Sequence, residues 1–323
     1  MHLTEVTTTP FISDDLGRGC ILDIDVIEGD LLGSESPLIA ACARHSSICI
    51  PSCDVCFQHM LPFGDLVQYL CSDLVVSPAI RPDWKRCEFC EYLLCPSCIV
   101  EKFNWDVHLL LCYQGDPCRK KRIIRLIRLA MNESECVLLA IKYVCRRYLD
   151  PNFPEIRVTE ETTITNVEIS SLLQELLPDV SLNHFHEIIQ KFERTNLYIE
   201  IENPSMLKDI SLGLLTLDIR KRLISVFEKI GYPAIIDDQD QLPPLPIVLG
   251  TGHYPTVALM NHSCVPNTEW RSVKGTNKIE LVALTKISKG QEIRISYVDQ
   301  SLPNRAQILR DRYGFECKCP LCL

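Results

Sequence analysis

Four cysteine pairs or near-pairs follow one another within about sixty residues: Cys53-x2-Cys56, Cys87-x2-Cys90, Cys95-x2-Cys98, and Trp105-x2-His108-x3-Cys112. Thiolate and imidazole are the ligands of tetrahedral zinc, and a Cys-x2-Cys turn puts two sulfurs on one metal. Eight such ligands make two closed sites with no position left for water, so the zinc here would contribute folding free energy and no catalysis. The competing reading is free buried thiols, the ordinary state of cysteine in a core. Three pairs at ligand spacing plus His-x3-Cys favour metal. Cys71, inside the long spacer between Cys56 and Cys87, is either a substitute ligand or a buried thiol.

A second constellation lies in the last third. Asn261-His262-Ser263-Cys264-Val265-Pro266-Asn267 is followed some thirty residues later by Gly290-Gln291-Glu292 leading to Tyr297, and the chain closes on Tyr313-x-Phe315-x-Cys317-x-Cys319-x2-Cys322. Any one of these is a polar turn or a core residue in isolation. Their joint order is what carries specificity.

The elements that must position these residues alternate along the chain. Residues 14–37 read as short strands and turns, with Gly17-Arg18-Gly19-Cys20 as a tight turn, Cys20 to Val26 as a strand, and Ile27-Glu28-Gly29-Asp30 turning into Leu31. Residues 53–112 are dense in cysteine and poor in apolar periodicity, which marks an inserted module held by metal. From Arg119 the period becomes helical through Ile123, Ile124, Ile127 and Leu129. Asn132 or Ser134 can cap a second helix, which Asp150-Pro151 ends. Further helices are predicted over 182–192 and 207–230, and strands over 279–284 and 293–297. His184 and His186 sit at a spacing that does not share one helix face, and no site is assigned to them.

Composition narrows the class. With 46% hydrophobic and 23% charged residues the 323-residue chain is an ordinary globular sequence, long enough for one large domain or two to three small ones. No run of eighteen apolar residues reads as a membrane span. A net charge of −9 excludes a surface devoted wholly to nucleic acid and suits a basic protein substrate. The basic run Arg119-Lys120-Lys121-Arg122, with Arg125 and Arg128, is either a contact for nucleic acid or an acidic partner, or a solvated helix face. Eighteen cysteines without a basic-then-apolar leader after Met1 point to zinc in a reducing compartment, nucleus or cytoplasm, instead of disulfides. Cys20, Cys42, Cys49, Cys118, Cys136 and Cys145 have no partner pattern and are expected as buried thiols.

Taken together, the cysteine order ending in Trp-x2-His-x3-Cys resembles the MYND zinc finger. The full chain resembles the SET- and MYND-domain protein-lysine methyltransferases. The resemblance rests on Gly17-Arg18-Gly19, on Gly250-Thr251-Gly252-His253-Tyr254-Pro255, on the Asn-His-Ser-Cys motif, on Gly290 to Tyr297, and on the cysteine tail. It implies an α+β fold: a β-rich SET domain split by the finger and by a helical insert, with a zinc-binding post-SET tail. The implied segments are 1–50 and 246–300 for the SET domain, 51–112 for the finger, 113–245 for the insert and 301–323 for the tail.

The resemblance also implies ligand sets and roles. Cys53, Cys56, Cys95 and Cys98 would hold one zinc; Cys87, Cys90, His108 and Cys112 a second; Cys264 with Cys317, Cys319 and Cys322 a third. The motif segment would thread beneath a neighbouring loop, an exception to the rarity of knotted chains. S-adenosyl-L-methionine would meet Gly17, Arg18, Gly19, Asn261, His262, Tyr297 and Phe315, with Phe315 against the adenine and Tyr297 shaping the lysine channel. Asn196 is a further candidate cofactor contact. Many members carry a helical-repeat domain after the tail, so a chain ending at Leu323 is expected to present a more open substrate groove.

The expected partner is a protein substrate offering a lysine, histone or not. No membrane partner is expected, and the state is expected to be a monomer. The alternative is a catalytically weak zinc adaptor whose finger binds proline-rich peptides. Gln291, where the family commonly has an acidic residue, is its one mark of support.

Overall fold

The computed structural model describes residues 8–13, 17–42, 50–72, 81–90, 92–156, 167–205, 213, 216–230 and 247–322. The strands are β1 (Thr8–Ser13), β2 (Gly17–Leu22), β3 (Leu31–Glu35), β4 (Ile39–Cys42), β5 (Lys85–Arg86), β6 (Leu93–Leu94), β7 (Asn196–Ile201), β8 (Val248–His253), β9 (Asn261–His262), β10 (Thr268–Ser272), β11 (Ile279–Ala283) and β12 (Glu292–Ile295). The helices are α1 (Phe63–Cys71), α2 (Pro96–Ile99), α3 (Lys102–Leu110), α4 (Pro117–Glu133), α5 (Glu135–Leu149), α6 (Val167–Leu176), α7 (Leu182–Thr195), α8 (Leu217–Ile230) and α9 (Arg305–Ile308). Three small sheets, ordered β1-β2-β12-β9, β10-β11-β3 and β4-β8-β7, surround one apolar core, and β5-β6 is a separate hairpin.

That core draws on both ends of the chain. Cys20, Leu22 and Leu32 from the first strands bury against Val248, Ile279, Leu281, Ile293 and Ile295 from the last. Alternating apolar residues on short antiparallel strands make one-sided sheets, and sheets this small are stable only when their apolar faces meet. A second core forms beneath α5, whose Leu139, Ala140, Ile141 and Tyr143 are fully buried among Leu126, Leu173, Phe185, Ile188 and Phe192 of the neighbouring helices. Asp116 starts α4 by accepting from the Cys118 and Arg119 amides at 2.8 and 3.3 Å.

Several expectations change here. Gly17 to Cys20 do not form a tight turn: they belong to β2, with Gly17 opposite Ser13 and Cys20 opposite Pro10. Only Cys20 to Leu22 of the predicted Cys20–Val26 strand are extended in β2; Val26 makes an isolated bridge to Ile287. The spacer between Cys56 and Cys87 is not structureless. Phe63, Leu66, Val67 and Leu70 recur at i, i+3, i+4 and i+7, form the buried face of α1, and enter the main core. Cys71 ends that helix, away from every ligand cluster.

Helix α6, missed in the sequence, carries the same period in Ile169, Leu172 and Leu173. Ser134 occupies the start of α5, but its side chain makes no capping bond. Of the predicted 207–230 helix, 217–230 is helical and residues 207–212, 214 and 215 lie outside the described residues. His186 is buried, with its Nε2 2.9 Å from Ser170 Oγ. Cys118 is exposed, whereas Cys20, Cys42, Cys136 and Cys145 are buried thiols as expected, and Cys49 lies outside the described residues.

Strand β8 is the hinge between the two cores, pairing with β4 on one side and β7 on the other. A Cβ at Gly250 would lie 2.5 Å from the Phe57 ring and 2.8 Å from the Ala41 carbonyl, so only glycine lets the cysteine-rich segment approach this strand. His253 ends the strand, buried, with Nδ1 3.1 Å from Thr195 Oγ1. Burial, aided by Lys191, holds its imidazole down to about 3. Below the ordinary histidine value of about 6.5 the unfolded chain takes up a proton that the folded chain refuses, so stability is lost as pH falls. Between about pH 6 and 4 the unfolding free energy should fall with pH more steeply in the native protein than in His253→Gln. The difference should be close to one proton, about 1.4 kcal/mol per pH unit, in urea titrations at several pH values.

Candidate active site and metal clusters

Asn261 and His262 make only a two-residue strand, but it lies parallel to β12, with Asn261 beside Arg294 and His262 beside Ile295. The Ser263 amide adds a bond to the Ile295 carbonyl at 2.9 Å. Asn267 fastens the loop that follows, donating from Nδ2 to the Glu292 carbonyl and accepting on Oδ1 from the Arg294 amide, each at 2.8 Å. Upstream, the buried Glu35 carboxylate accepts from the Thr256 and Val257 amides at 2.9 and 3.4 Å, fixing the turn that leads into the motif. Burial raises that carboxyl above its usual range despite these bonds.

Around this pairing the aromatic residues converge. Tyr297, just beyond β12, gives its backbone N–H to His262 Nδ1 at 3.0 Å and its hydroxyl proton to the Met260 carbonyl. Its ring centroid lies 5.3 Å from His262, 4.9 Å from Tyr313 and 6.3 Å from Phe315, the last edge-to-face. Phe315 is also 6.0 Å from His262. Burial pushes the Tyr297 phenol well above its ordinary value, with Tyr313 and Glu292 adding to the effect. Burial also lowers the His262 imidazole to about 4. Both side chains are therefore neutral near pH 7.

The Asn261 amide donates to Glu292 Oε1 at 2.7 Å, and the other carboxylate oxygen of Glu292 takes Arg294 Nε and Nη2 at 2.6 Å. Glu292 was quoted in the sequence motif without a role; it is the carboxylate that touches Asn261. Gln291, the apparent departure, accepts from the Ser288 amide at 3.0 Å and so closes a turn. Gly17, Arg18 and Gly19 lie on β2, which pairs with β12 at Cys20 and Ile21 and so shares the sheet of Asn261 and His262. Asn196, the further candidate, opens β7. It donates to Thr251 Oγ1 at 2.7 Å, and its Oδ1 is buried without a partner.

Three groups of four ligand residues gather: Cys53, Cys56, Cys95 and Cys98; Cys87, Cys90, His108 and Cys112; Cys264, Cys317, Cys319 and Cys322. In each, the ligand atoms lie within 4.8 Å of one another. Tetrahedral Zn–S bonds of about 2.3 Å set sulfurs about 3.8 Å apart, whereas a disulfide needs about 2 Å. The separations are of the first kind: 3.5 Å for Cys56 to Cys95, 3.7 Å for Cys87 to Cys112, 3.9 Å for Cys264 to Cys317 and 3.5 Å for Cys264 to Cys322. The donor sets therefore fit zinc.

The crossing order of the first two groups has a local cause. The Asp54 amide and carboxylate bond the Leu93 carbonyl and amide at 2.9 and 2.7 Å, which brings the first pair to the third. The intervening β5-β6 hairpin carries the second pair at its tip, toward α3, where His108 stacks on Tyr92 at 4.1 Å. The basic run on α4 is mostly solvent-exposed, with Arg119 half-buried and three of its members paired within the chain. Arg119 caps the end of α3 with bonds to the Cys112 and Leu110 carbonyls at 2.8 Å, while Arg122 and Arg125 pair with Glu175 and Glu168.

The third group ties the tail to the motif. Helix α9 runs into a π-helical turn, Leu309–Tyr313, that Gly314 ends at φ 74°. Leu309 is buried against Cys264 and Cys319, with Tyr297, Tyr313 and Phe315 packed on them.

Comparison with known proteins agrees with this architecture. The SET-domain family model matches residues 81–298, about two thirds of the chain, and the chain belongs to that family. It is 26% identical over 308 residues, 95% of this chain and 53% of the relative, to the histone-lysine N-methyltransferase ASHR1 of Arabidopsis thaliana. It is 45% identical over 102 residues, 31% of this chain and 22% of the relative, to the N-lysine methyltransferase SMYD2 of Homo sapiens. Over 79 residues, 23% of this chain and 19% of the relative, it is 42% identical to the protein-lysine N-trimethyltransferase SMYD5 of Gallus gallus. The chain thus spans about half the length of the first of these relatives and less of the others.

Removing the Asn267 side chain leaves a partly buried carbonyl and amide unpaired, each worth about 1–3 kcal/mol. Asn267→Ala should lower unfolding stability by about 2 kcal/mol or more in denaturant titrations, whereas an exposed change such as Lys286→Ala should stay within about 0.5 kcal/mol.

Proposed function

We propose that the chain is the catalytic unit of an S-adenosylmethionine-dependent protein-lysine N-methyltransferase acting on histone or other protein lysines. In this reading residues 1–50 and 246–300 are the split SET domain, 51–112 a MYND-type finger with two structural zinc ions, 113–245 the helical insert, and 301–323 a post-SET tail with the third zinc. A reducing compartment, nucleus or cytoplasm, would keep the thiolates available to metal. The convergence of Asn261, His262, Tyr297 and Phe315 on one parallel strand pairing carries the reading, and family membership and the relatives' names support it.

S-adenosylmethionine supplies a sulfonium methyl, open to in-line displacement by a neutral amine. The residues of the chain do the positioning, which is where most of the acceleration in such a reaction resides. Asn261, steadied by Glu292, and the backbone about His262 offer fixed donors and acceptors to the cofactor's polar groups. The flat face of Phe315 suits an adenine. Gly17 and Gly19 let the backbone beside Arg18 come close to the methionine end. The Tyr297 hydroxyl, its proton given to Met260, keeps lone-pair capacity for the amine. It orients the nucleophile and does not deprotonate it, since a phenol raised above its ordinary value is no base at neutral pH. With Gln291 reduced to a turn residue, the catalytically weak adaptor loses its only support.

Zinc-replete protein should bind S-adenosylmethionine in calorimetry and transfer radiolabelled methyl to protein in a lysate. Tyr297→Phe, which keeps the ring, should lower transfer at least about tenfold while changing cofactor affinity far less. Equal labelling by both proteins, or none by either, would sink the enzymatic reading. Elemental analysis should find three zinc ions per chain, one for each cluster. Cys322 is the exposed ligand among the twelve, so a chelator should strip the tail site first, and Cys322→Ser should retain two ions.

A further inference from the structure

A cavity of about 1230 Å3 lies apart from the Asn261–Tyr297 site and borders the two cysteine-rich clusters. Its wall is shared by the cysteine-rich segment, by helices α4 and α5, by residues 36–40 and by the turn 275–278. Asn261, His262, Tyr297 and Phe315 take no part in it. Charge is its distinguishing feature. Arg86, Lys120, Arg128, Lys142, Arg146 and Lys278 line it, against two carboxylates, Asp54 and Glu101. Neither carboxylate offsets the basic side freely. Asp54 already accepts from the Leu93 amide at 2.7 Å, and Glu101 is paired with Arg146 at 2.7 Å. A chain of net charge −9 therefore concentrates positive charge in this concavity. Low-dielectric walls focus such a field.

The basic side includes a built element as well as flexible surface lysines. Arg146 is 8% exposed, with its guanidinium held 4.3 Å from the Phe103 ring and 5.0 Å from Phe153. Its Nε–H is buried without an acceptor. A carboxylate arriving from the cavity would supply the second acceptor that this guanidinium lacks, and arginine is suited to that geometry. Part of the remaining wall is apolar, with Leu38, Ile127 and Phe153 beside Phe89 and Ile124, which are 38% and 41% exposed.

From the charge, the orphaned donor and the apolar wall we infer that this cavity is a docking site for an acidic peptide segment carrying apolar side chains, contributed by a substrate or partner protein. The volume exceeds the roughly 300–1,000 Å3 of small-molecule pockets and suits a peptide. A nucleic acid is disfavoured, because a concave apolar wall offers nothing to an extended row of phosphates and the overall charge of the chain opposes a long polyanion. The site does not depend on methyl transfer, and its test reads binding alone.

The test uses the full chain loaded with zinc, because ligand residues of both finger clusters border the cavity. Fluorescence anisotropy would follow a labelled twelve-residue peptide alternating Glu with Leu and Phe, a Lys-for-Glu counterpart, and a short DNA duplex as competitor. The acidic peptide should bind and weaken as salt is raised. The double variant Arg128→Glu/Lys278→Glu, both exposed lining positions, one on α4 and one on the 275–278 turn, should weaken it at least about tenfold. A control pair outside the cavity, Lys286→Glu/Lys289→Glu, should stay within about twofold. Absence of binding, equal binding of the basic peptide, an equal loss in the control pair, or displacement by DNA at matching concentration would each overturn the inference.

Discussion

The parallel pairing of Asn261–His262 with Arg294–Ile295 is the constraint on which the site depends. Two residues of strand are far too little to hold themselves, since isolated pairs of even full-length strands are marginal in water. What holds them is side-chain bonding from both directions. Asn267 takes the backbone of β12, Glu292 takes the Asn261 amide, and the Tyr297 backbone takes the His262 ring. Asn261, His262 and Tyr297 are thus placed by bonds within a segment of fewer than forty residues, while Gly17 to Gly19 join the same sheet through β2 and Phe315 comes from the tail. Their geometry then passes to the tail through Cys264, two positions beyond His262.

That dependence shows what a metal bound in the tail cluster would contribute. The tail after Tyr313 buries little apolar surface of its own: Cys319 packs on Leu309 and Cys264, and Phe315 is only partly buried against them. A segment this short cannot offset its conformational entropy by burial, and four thiolates drawn to one ion can supply the difference. The cysteine-rich segment solves a related problem differently. Its hairpin and helices α2 and α3 have a small cluster of their own, but Phe57 and α1 enter the central core and Asn277 donates to the Val55 carbonyl at 3.0 Å. The insertion is therefore built into the fold at several points, with Gly250 as the position that permits the contact.

What the sequence made legible follows the same division. Ligand spacing is a local property, so the eleven cysteines and one histidine of the three groups were readable, and so was the helical period of α4, α5 and α7. Glycine misled. Gly17 and Gly19 looked like a turn, yet they sit in a strand beside β12, because glycine serves close approach as well as positive φ. Cysteine density masked the period of α1, whose Phe63, Leu66, Val67 and Leu70 were as regular as those of the helices that were found. The pairing of β4, β8 and β7 joins residues far apart in sequence, and the role of Glu292 appears only when β12 lies against Asn261. Such relations depend on register across the fold, which no spacing along the chain encodes.

On the proposed reading, the same register limits how the reaction can start. A lysine with an ordinary value of about 10.4 must arrive as the free amine. Among the described residues around Tyr297, no side chain is placed to take that proton. Glu292 has both oxygens engaged by Asn261 and Arg294, His262 gives its two nitrogens to the Tyr297 amide and the Cys264 sulfur, and the Tyr297 phenol is held neutral. The remaining physical route is the environment itself. Transfer of an ammonium from water into a dry aromatic channel, beside a cationic sulfonium, lowers its pKa by both desolvation and like-charge repulsion. The aromatic wall formed by Tyr297, Tyr313 and Phe315 would therefore contribute to deprotonation as well as to shape, and its packing on the Cys264 cluster connects the zinc-bound tail to the chemistry.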